Sequence, residues 1–167
     1  MKDQELLELC NKYLIYNPET GIIVNKIDRS TKARIGRESG CIGNGGYRRI
    51  KLRDKSYRAH RLAYLMTYEY LPEFIDHINQ NKIDNRIINL RSCTKQENSM
   101  NRRSNKNTSS KYKGVSWHKN AKKWMAKIKI DSKAKHLGYF QTESDAAKAY
   151  DKAALEHFGE FACLNNV

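Results

Sequence analysis

The sequence predicts an α+β chain in two parts. A small β-hairpin region leads into a β-β-α unit, and a three-stranded antiparallel sheet packed on one helix follows. Three observations predict this. Two short strand-like runs (residues 74–78 and 87–91) precede a helix start at Thr94. In residues 123–130, Trp124, Ala126, Ile128 and Ile130 alternate with Met125, Lys127 and Lys129, the period of a half-buried strand. Between these regions, residues 101–110 contain no apolar side chain and read as a polar, basic linker. The expected boundaries are 1–103, a linker at 104–110, and 111–167.

Within the first part, Glu5 to Tyr13 reads as a short helix whose apolar side is Leu6, Leu7, Leu9 and Cys10. Pro18-Glu19-Thr20-Gly21 is a turn before the strand Ile22-Ile23-Val24. Glycines 40, 43, 45 and 46 break the chain before Tyr47 to Leu52. A turn at Arg53-Asp54-Lys55 returns it through Tyr57 as a hairpin. His60 to Tyr70 carries Leu62, Leu65 and Met66 on one side, so it reads as a helix that Pro72 stops. Phe74 to Ile78 and Ile87 to Arg91 are the paired strands. Thr94-Lys95-Gln96-Glu97 fits a capping box, which opens a helix just after Thr94.

In the second part, Tyr112 to His118 is a strand, and Asn120-Ala121-Lys122 turns into the strand Lys123–Ile130. There Trp124, Ala126, Ile128 and Ile130 share one face, while Lys127 and Lys129 share the other. A turn at Asp131-Ser132-Lys133 leads to the strand 135–140. Thr142 starts a helix rich in alanine, and Gly159 ends it. The phase of Val115 favours the core for Trp117, with a DNA contact as the other reading, and the same phase puts Trp124 in the core.

The net charge of +14 is unevenly placed. Residues 1–100 hold 18 Lys/Arg against 12 Asp/Glu, residues 101–139 hold 12 against 1, and residues 140–167 hold 2 against 5. A basic block of that density is the footprint of phosphate contacts; a solubilising surface is the other reading. With 30% charged residues and no apolar run near the roughly 20 residues a membrane-spanning helix needs, a membrane protein is excluded. The polar start is unlike a secretory signal and points to an intracellular chain. Four scattered cysteines without a C-x-x-C pair argue against structural zinc and for free thiols.

The chemistry concentrates at Asp76-His77, followed by Asp84-Asn85-Arg86, Asn89-Leu90-Arg91 and Glu97-Asn98. A carboxylate beside an imidazole, with amides close behind, can place one divalent metal and one general base around a phosphodiester. Mg²⁺ takes oxygen ligands and keeps several waters, so Asp76 and Asn98 suit it. His77 titrates near neutrality and suits a water-activating base. Asn89 would bond the backbone near His77 and hold the loop in shape. Strict alternation would point Asp76 and His77 oppositely, so the site needs a strand end there. Arg86 and Arg91 are phosphate clamps or ion-pair partners, and His60 has a structural or phosphate-contact role.

These residues, with Tyr57 to Leu62 and Asn101, resemble the HNH endonucleases of the phage and intron-associated homing type. Asn17 to Gly21 and Gly46 to Ile50 resemble that group's leader. The resemblance covers nearly all of residues 13–103. It implies a ββα-metal nuclease with His77, Asn89 and Asn98 at the three motif positions. His77 and Asn89 would be catalytic; Asp76 and Asn98 would bind Mg²⁺ or Mn²⁺. The asparagine at the third position favours Mg²⁺ over nickel or zinc.

Tyr112 to Val115, Lys123 to Ile128, Leu137 to Phe140, Ala146 to Asp151 and Leu164-Asn165 resemble the AP2 DNA-binding domain. That resemblance implies a sheet in the major groove, with Lys113, Ser116, His118, Lys127, Lys129 and His136 facing DNA. Lysine lacks the planar fork that reads guanine, so Lys127 and Lys129 are expected to grip phosphates. Together the two resemblances imply a site-specific endonuclease acting on double-stranded DNA as a monomer, in the cytoplasm or nucleoid of a bacterial or phage-infected cell. A non-catalytic, sequence-specific DNA-binding regulator is the alternative.

Overall fold

Leucines at 6, 7 and 9, with Cys10, give helix α1 (Asp3–Tyr13) one apolar side, and all four are buried. In the computed structural model, which describes residues 2–102, 109–165 and 167, α1 belongs to the first of two units, Met1–Lys95 and Gln96–Val167. Its core joins α1 to Leu14, Ile23, Ile50, Leu52, Leu62, Leu65, Ile75 and Leu90. The chain leaves α1 directly into β1 (Leu14–Tyr16), which pairs antiparallel with β2 (Ile23–Asn25). No turn signal follows Tyr13, so local pattern alone does not announce β1.

The turn joining β1 to β2 positions the later loop. Asn17 Oδ1 accepts from the backbone N–H groups of Glu19 and Thr20, at 2.9 and 3.1 Å. Gly21, at φ +74°, passes so close that a β-carbon would lie 2.4 Å from the Arg86 nitrogen. The Ile87 N–H donates to Pro18 O (3.0 Å) and the Tyr16 hydroxyl to Asn85 O (2.7 Å). This turn is therefore a wall against which residues 85–87 are laid.

Strands β3 (Cys41–Ile42), β4 (Arg48–Leu52) and β5 (Lys55–Arg58) form a meander, with the expected hairpin turning at Arg53 (φ +50°). β5 runs straight into α2 (Ala59–Tyr68), which ends on a left-handed Glu69. The β-β-α unit follows as β6 (Phe74–His77), β7 (Leu90–Cys93) and α3 (Lys95–Met100). In its register, Asp76 faces Arg91 and His77 faces Leu90. One expectation is corrected here. Ile87–Asn89 is a 3₁₀ turn rather than strand, because the Asn89 side chain is taken up by the loop backbone.

The second unit orders its sheet β10-β9-β8, all antiparallel: β8 (Val115–His118), β9 (Lys123–Ile130) and β10 (Lys133–Phe140). Helix α4 (Glu143–Phe158) lies on one face. Its Thr142 N-cap accepts from the Asp145 N–H at 3.1 Å, and Gly159 closes its C-terminus. Ala146, Ala147, Ala153 and Ala154 bring it onto Val115, Ala126 and Ile128. Gly114 (φ +76°) meets Tyr150 so closely that a β-carbon would sit 2.0 Å from the ring. Near the end of the chain, Asn165 Oδ1 accepts from the Lys113 N–H (2.6 Å), while its backbone N–H donates to Asp151 (2.9 Å).

The expected linker lies largely outside the described residues. Its last two residues bond within the second unit: Ser110 Oγ donates to Glu143 (2.6 Å), and Ser109 Oγ accepts from the Trp117 N–H (3.1 Å). Trp117 is the second correction. It shares the face of Val115 and stacks edge-on against Trp124, yet it is 42% exposed. Alternation gives its face, but the cover of α4 does not reach it fully. Trp124 is half-buried against the core. All four cysteines are free thiols, and no helix among the described residues is long and apolar enough to cross a membrane.

Candidate active site and nucleic-acid interface

Asp76 and His77 occupy the last two positions of β6, and both are buried. At this strand end each side chain finds its own partners. Asp76 Oδ2 accepts from both Arg91 Nη2 (3.0 Å) and Nε (3.3 Å). His77 Nε2 lies 3.3 Å from Asn85 Oδ1, while the Asn85 amide nitrogen donates to Ile83 O at 3.3 Å. That second bond turns the amide oxygen toward the imidazole. His77 Nε2 thus carries the hydrogen, and Nδ1 the lone pair. Burial lowers the His77 pKa, against opposing pulls from Asn85, Asp76 and Asp84, so the ring is held in the proton-accepting form.

Asn89 fixes the loop between β6 and β7. Its Oδ1 accepts from the Asn79 N–H (2.9 Å), its Nδ2 donates to Asp84 O (2.8 Å), and its carbonyl accepts from the Ile78 N–H (2.9 Å). Three points of the loop are thereby tied to one buried residue. Asn89→Ala leaves the Asn79 N–H and the Asp84 carbonyl without this partner, costing roughly 2 kcal/mol or more of stability. Urea melts that superimpose on those of the unaltered protein would disprove this role.

Asp84 is gripped by Arg86, whose Nε and Nη2 donate to it at 2.8 and 2.6 Å; this chiefly lowers its pKa to about 2. Arg91 is correspondingly committed to Asp76, with its side chain only 12% exposed. Both arginines thus stand as ion-pair partners of carboxylates within the unit.

His60, at the start of α2, lies against His77 with ring centroids 4.8 Å apart and planes at 81°. Tyr47 stands 5.3 Å from His60 and 6.0 Å from His77. His60 is 4% exposed, and its Nδ1 is buried without a hydrogen-bond partner among the described residues. Burial, then the nearby charges of His77, Arg58 and Arg61, push its pKa down to about 3. Because the folded value lies below the ordinary 6.5, His60 costs stability as pH falls from about 6.5 toward 3, where only the unfolded chain takes the proton. Between pH 6.5 and 4, His60→Gln should lose roughly 2–3 kcal/mol less than the unaltered protein. Parallel stability curves over that range would contradict this.

Asn98 lies exposed on α3, among residues grouped with the second unit. Among the described residues, no cluster of three or more His, Cys, Asp or Glu could cage a metal. A hard cation needs no such cage. One carboxylate, waters and a substrate phosphate meet its preference for oxygen, and Asp76 offers such a carboxylate.

On the sheet face away from α4, the register aligns Ser116 with Met125, His136 with Lys127 and Tyr139 with Met125. His118, Lys127, Lys129 and Tyr139 complete this face. Tyr139 packs its ring against His118 (5.1 Å) and His136 (4.7 Å) and is 44% exposed. His118 Nδ1 accepts from the Ala121 N–H (3.1 Å), leaving the hydrogen on Nε2. Lys113 departs from the expected set. It precedes β8, burial lowers its pKa, and its ammonium donates to Met100 O, so much of its charge is spent inside the unit.

Sequence reasoning missed Asn85, Tyr47 and Tyr139 as site residues. Asn85 carried a signal, since it sits inside the same polar loop as Asp84 and Arg86. Tyr47 and Tyr139 carried none, because only the fold brings them to the histidines.

Comparison with known families agrees with this geometry. A family model described as HNH endonuclease matches residues 57–100, and one described as AP2 domain matches residues 110–160. The chain therefore contains an HNH endonuclease domain. That domain is joined to a C-terminal AP2 domain. An uncharacterized HNH endonuclease of Acanthamoeba polyphaga mimivirus is 39% identical over 113 residues, covering 65% of this chain and 57% of that protein. An AP2-like ethylene-responsive transcription factor of Arabidopsis thaliana is 31% identical over 147 residues, covering 84% of this chain and 25% of the factor. The chain thus spans a little over half of the viral relative and about a quarter of the plant one. A solved structure of the HNH homing endonuclease I-HmuI, concerned with DNA binding and cleavage, aligns at a TM-score of 0.41 and 19% identity, covering 87% of this chain and 85% of that one.

Proposed function

We propose that this chain is a DNA endonuclease that hydrolyses phosphodiesters at sites chosen by its AP2 domain. The observation that carries the reading is the Asp76-His77 strand end, with its imidazole held as an acceptor and its loop locked by Asn89, inside an HNH-matching segment. His77 Nδ1 takes a proton from a water whose oxygen bonds to phosphorus. The bond from phosphorus to the 3′ oxygen breaks, and that oxygen is protonated from solvent. The ends are a 5′-phosphate and a 3′-hydroxyl. Asp76 and Asn98 are the residues that would hold Mg²⁺ or Mn²⁺, which would supply positive charge against the negative charge that develops on the reacting phosphate. Arg91 fixes the Asp76 carboxylate in direction. Asn85 keeps the His77 ring in one tautomer.

The exposed sheet face of the second unit, with Lys127 and Lys129, supplies the phosphate contacts that hold double-stranded DNA in register. With one active site per chain, a monomer cuts one strand at a time, giving nicks or successive double-strand breaks. The ligand role of Asn98 has a direct test. Asn98→Ala should raise the Mg²⁺ concentration needed for half-maximal cutting about tenfold or more. Superimposable metal titrations would remove Asn98 from the metal site.

A further inference from the structure

We propose that Arg58 and Lys82, gathered on the ring of Tyr47, form a clamp for a DNA backbone phosphate beside His77. The inference rests on the nuclease reading and adds to it a binding site built from residues outside the Asp76, His77, Asn89 and Asn98 set. Three separated pieces of the first unit meet here. Tyr47 immediately precedes β4, Arg58 closes β5 at the entry to α2, and Lys82 lies on the loop after β6. The Arg58 guanidinium carbon stands 4.6 Å from the Tyr47 ring centroid, and Lys82 Nζ stands 4.9 Å from it. Lys82 Nζ is steadied by Gly45 O at 3.0 Å. The same Tyr47 ring lies 6.0 Å from the His77 ring.

Ring stacking alone does not account for this arrangement. An exposed cation on a tyrosine gains about 0.5–1 kcal/mol. Both cations lie within 5 Å of one centroid, so two like charges are gathered no more than about 10 Å apart. Among the described residues, neither forms an ion pair with a carboxylate, whereas Arg86 and Arg91 both do. Both side chains are exposed, and Tyr47 is half-buried beneath them. A phosphate drawn to both cations offsets that gathered charge. A phosphodiester suits both partners: the planar guanidinium can donate two bonds to its non-bridging oxygens, and the ammonium adds a point charge. Because the Tyr47 ring stands beside the His77 ring, that anion is the backbone of the strand being cut.

The test uses the full chain with Arg58→Gln, Lys82→Gln, the double variant and Tyr47→Leu. Thermal melts serve as the folding control. Binding to a random-sequence DNA duplex is measured in EDTA across salt concentrations. Cutting is measured in Mg²⁺ on supercoiled plasmid carrying the DNA that flanks this gene. The double variant should flatten the slope of log affinity against log salt by about 1.8, since each phosphate no longer neutralised removes about 0.9. It should also lower kcat/KM at least tenfold. Tyr47→Leu keeps both charges but frees them, and should lower kcat/KM several-fold. An unchanged slope and unchanged kcat/KM in the double variant would overturn the clamp while leaving the nuclease reading intact. A wild-type protein that does not cut would instead sink the nuclease reading, and the salt slope would still decide the clamp.

Discussion

His77→Ala should slow strand cutting by roughly a hundred- to ten-thousand-fold and leave DNA affinity nearly unchanged. The asymmetry follows from where the imidazole sits. It is 4% exposed, packed against His60 and bonded to Asn85, so it offers little charge or surface to bound DNA. What it offers in the proposed mechanism is a basic ring nitrogen, in a ring whose burial lowers its pKa. On that mechanism, removing the ring removes proton abstraction and leaves phosphate binding to the basic side chains. Gel-shift titration in EDTA and single-turnover cutting in Mg²⁺ separate the two quantities. Equal cutting rates for the two proteins would refute the general-base role.

The second large effect belongs to the other unit. Replacing Lys127 and Lys129 with Gln should weaken binding to every DNA sequence and reduce the salt slope by about 2, because each ammonium neutralises one phosphate. Both lysines project from the face of β9 opposite Ala126 and Ile128, whose buried side chains anchor the strand on α4. Their substitution leaves that core untouched, so the folded state should survive. Lys113 provides the internal contrast. Its ammonium already donates to Met100 O, so Lys113→Gln should change the slope much less. A double variant that retains the full slope would show that DNA docks elsewhere.

Much of the fold was legible because period and face coincide. The alternation over Lys123–Ile130 yields a strand with those bounds, and the Thr142 and Gly159 signals enclose α4. Two failures share one cause: local pattern yields to contacts distant in sequence. Ile87-Ile88 reads as strand by side-chain type, but Asn89 bonds back to Asn79 and Asp84 and tightens the segment into a 3₁₀ turn. Trp117 has the core phase, yet its exposure depends on how far α4 extends along the sheet. At the site, Asp76, His77 and Asn89 could be read directly, since they sit on two paired strand ends and the loop joining them. Whether Arg86 and Arg91 grip phosphates or carboxylates could not, because only the register places Asp76 opposite Arg91. The gathering of Tyr47, Arg58 and Lys82 is likewise a product of the meander, with nothing in their spacing to announce it.

One measurement addresses the central claim most directly. Purified protein is incubated with its flanking genomic DNA in Mg²⁺, and each strand is mapped for breaks and end groups. The account predicts breaks at fixed positions bearing 5′-phosphate and 3′-hydroxyl ends, absent in EDTA and absent with His77→Ala. Tight binding to the same DNA with both strands left whole would contradict it, and would make the chain a DNA-binding regulator.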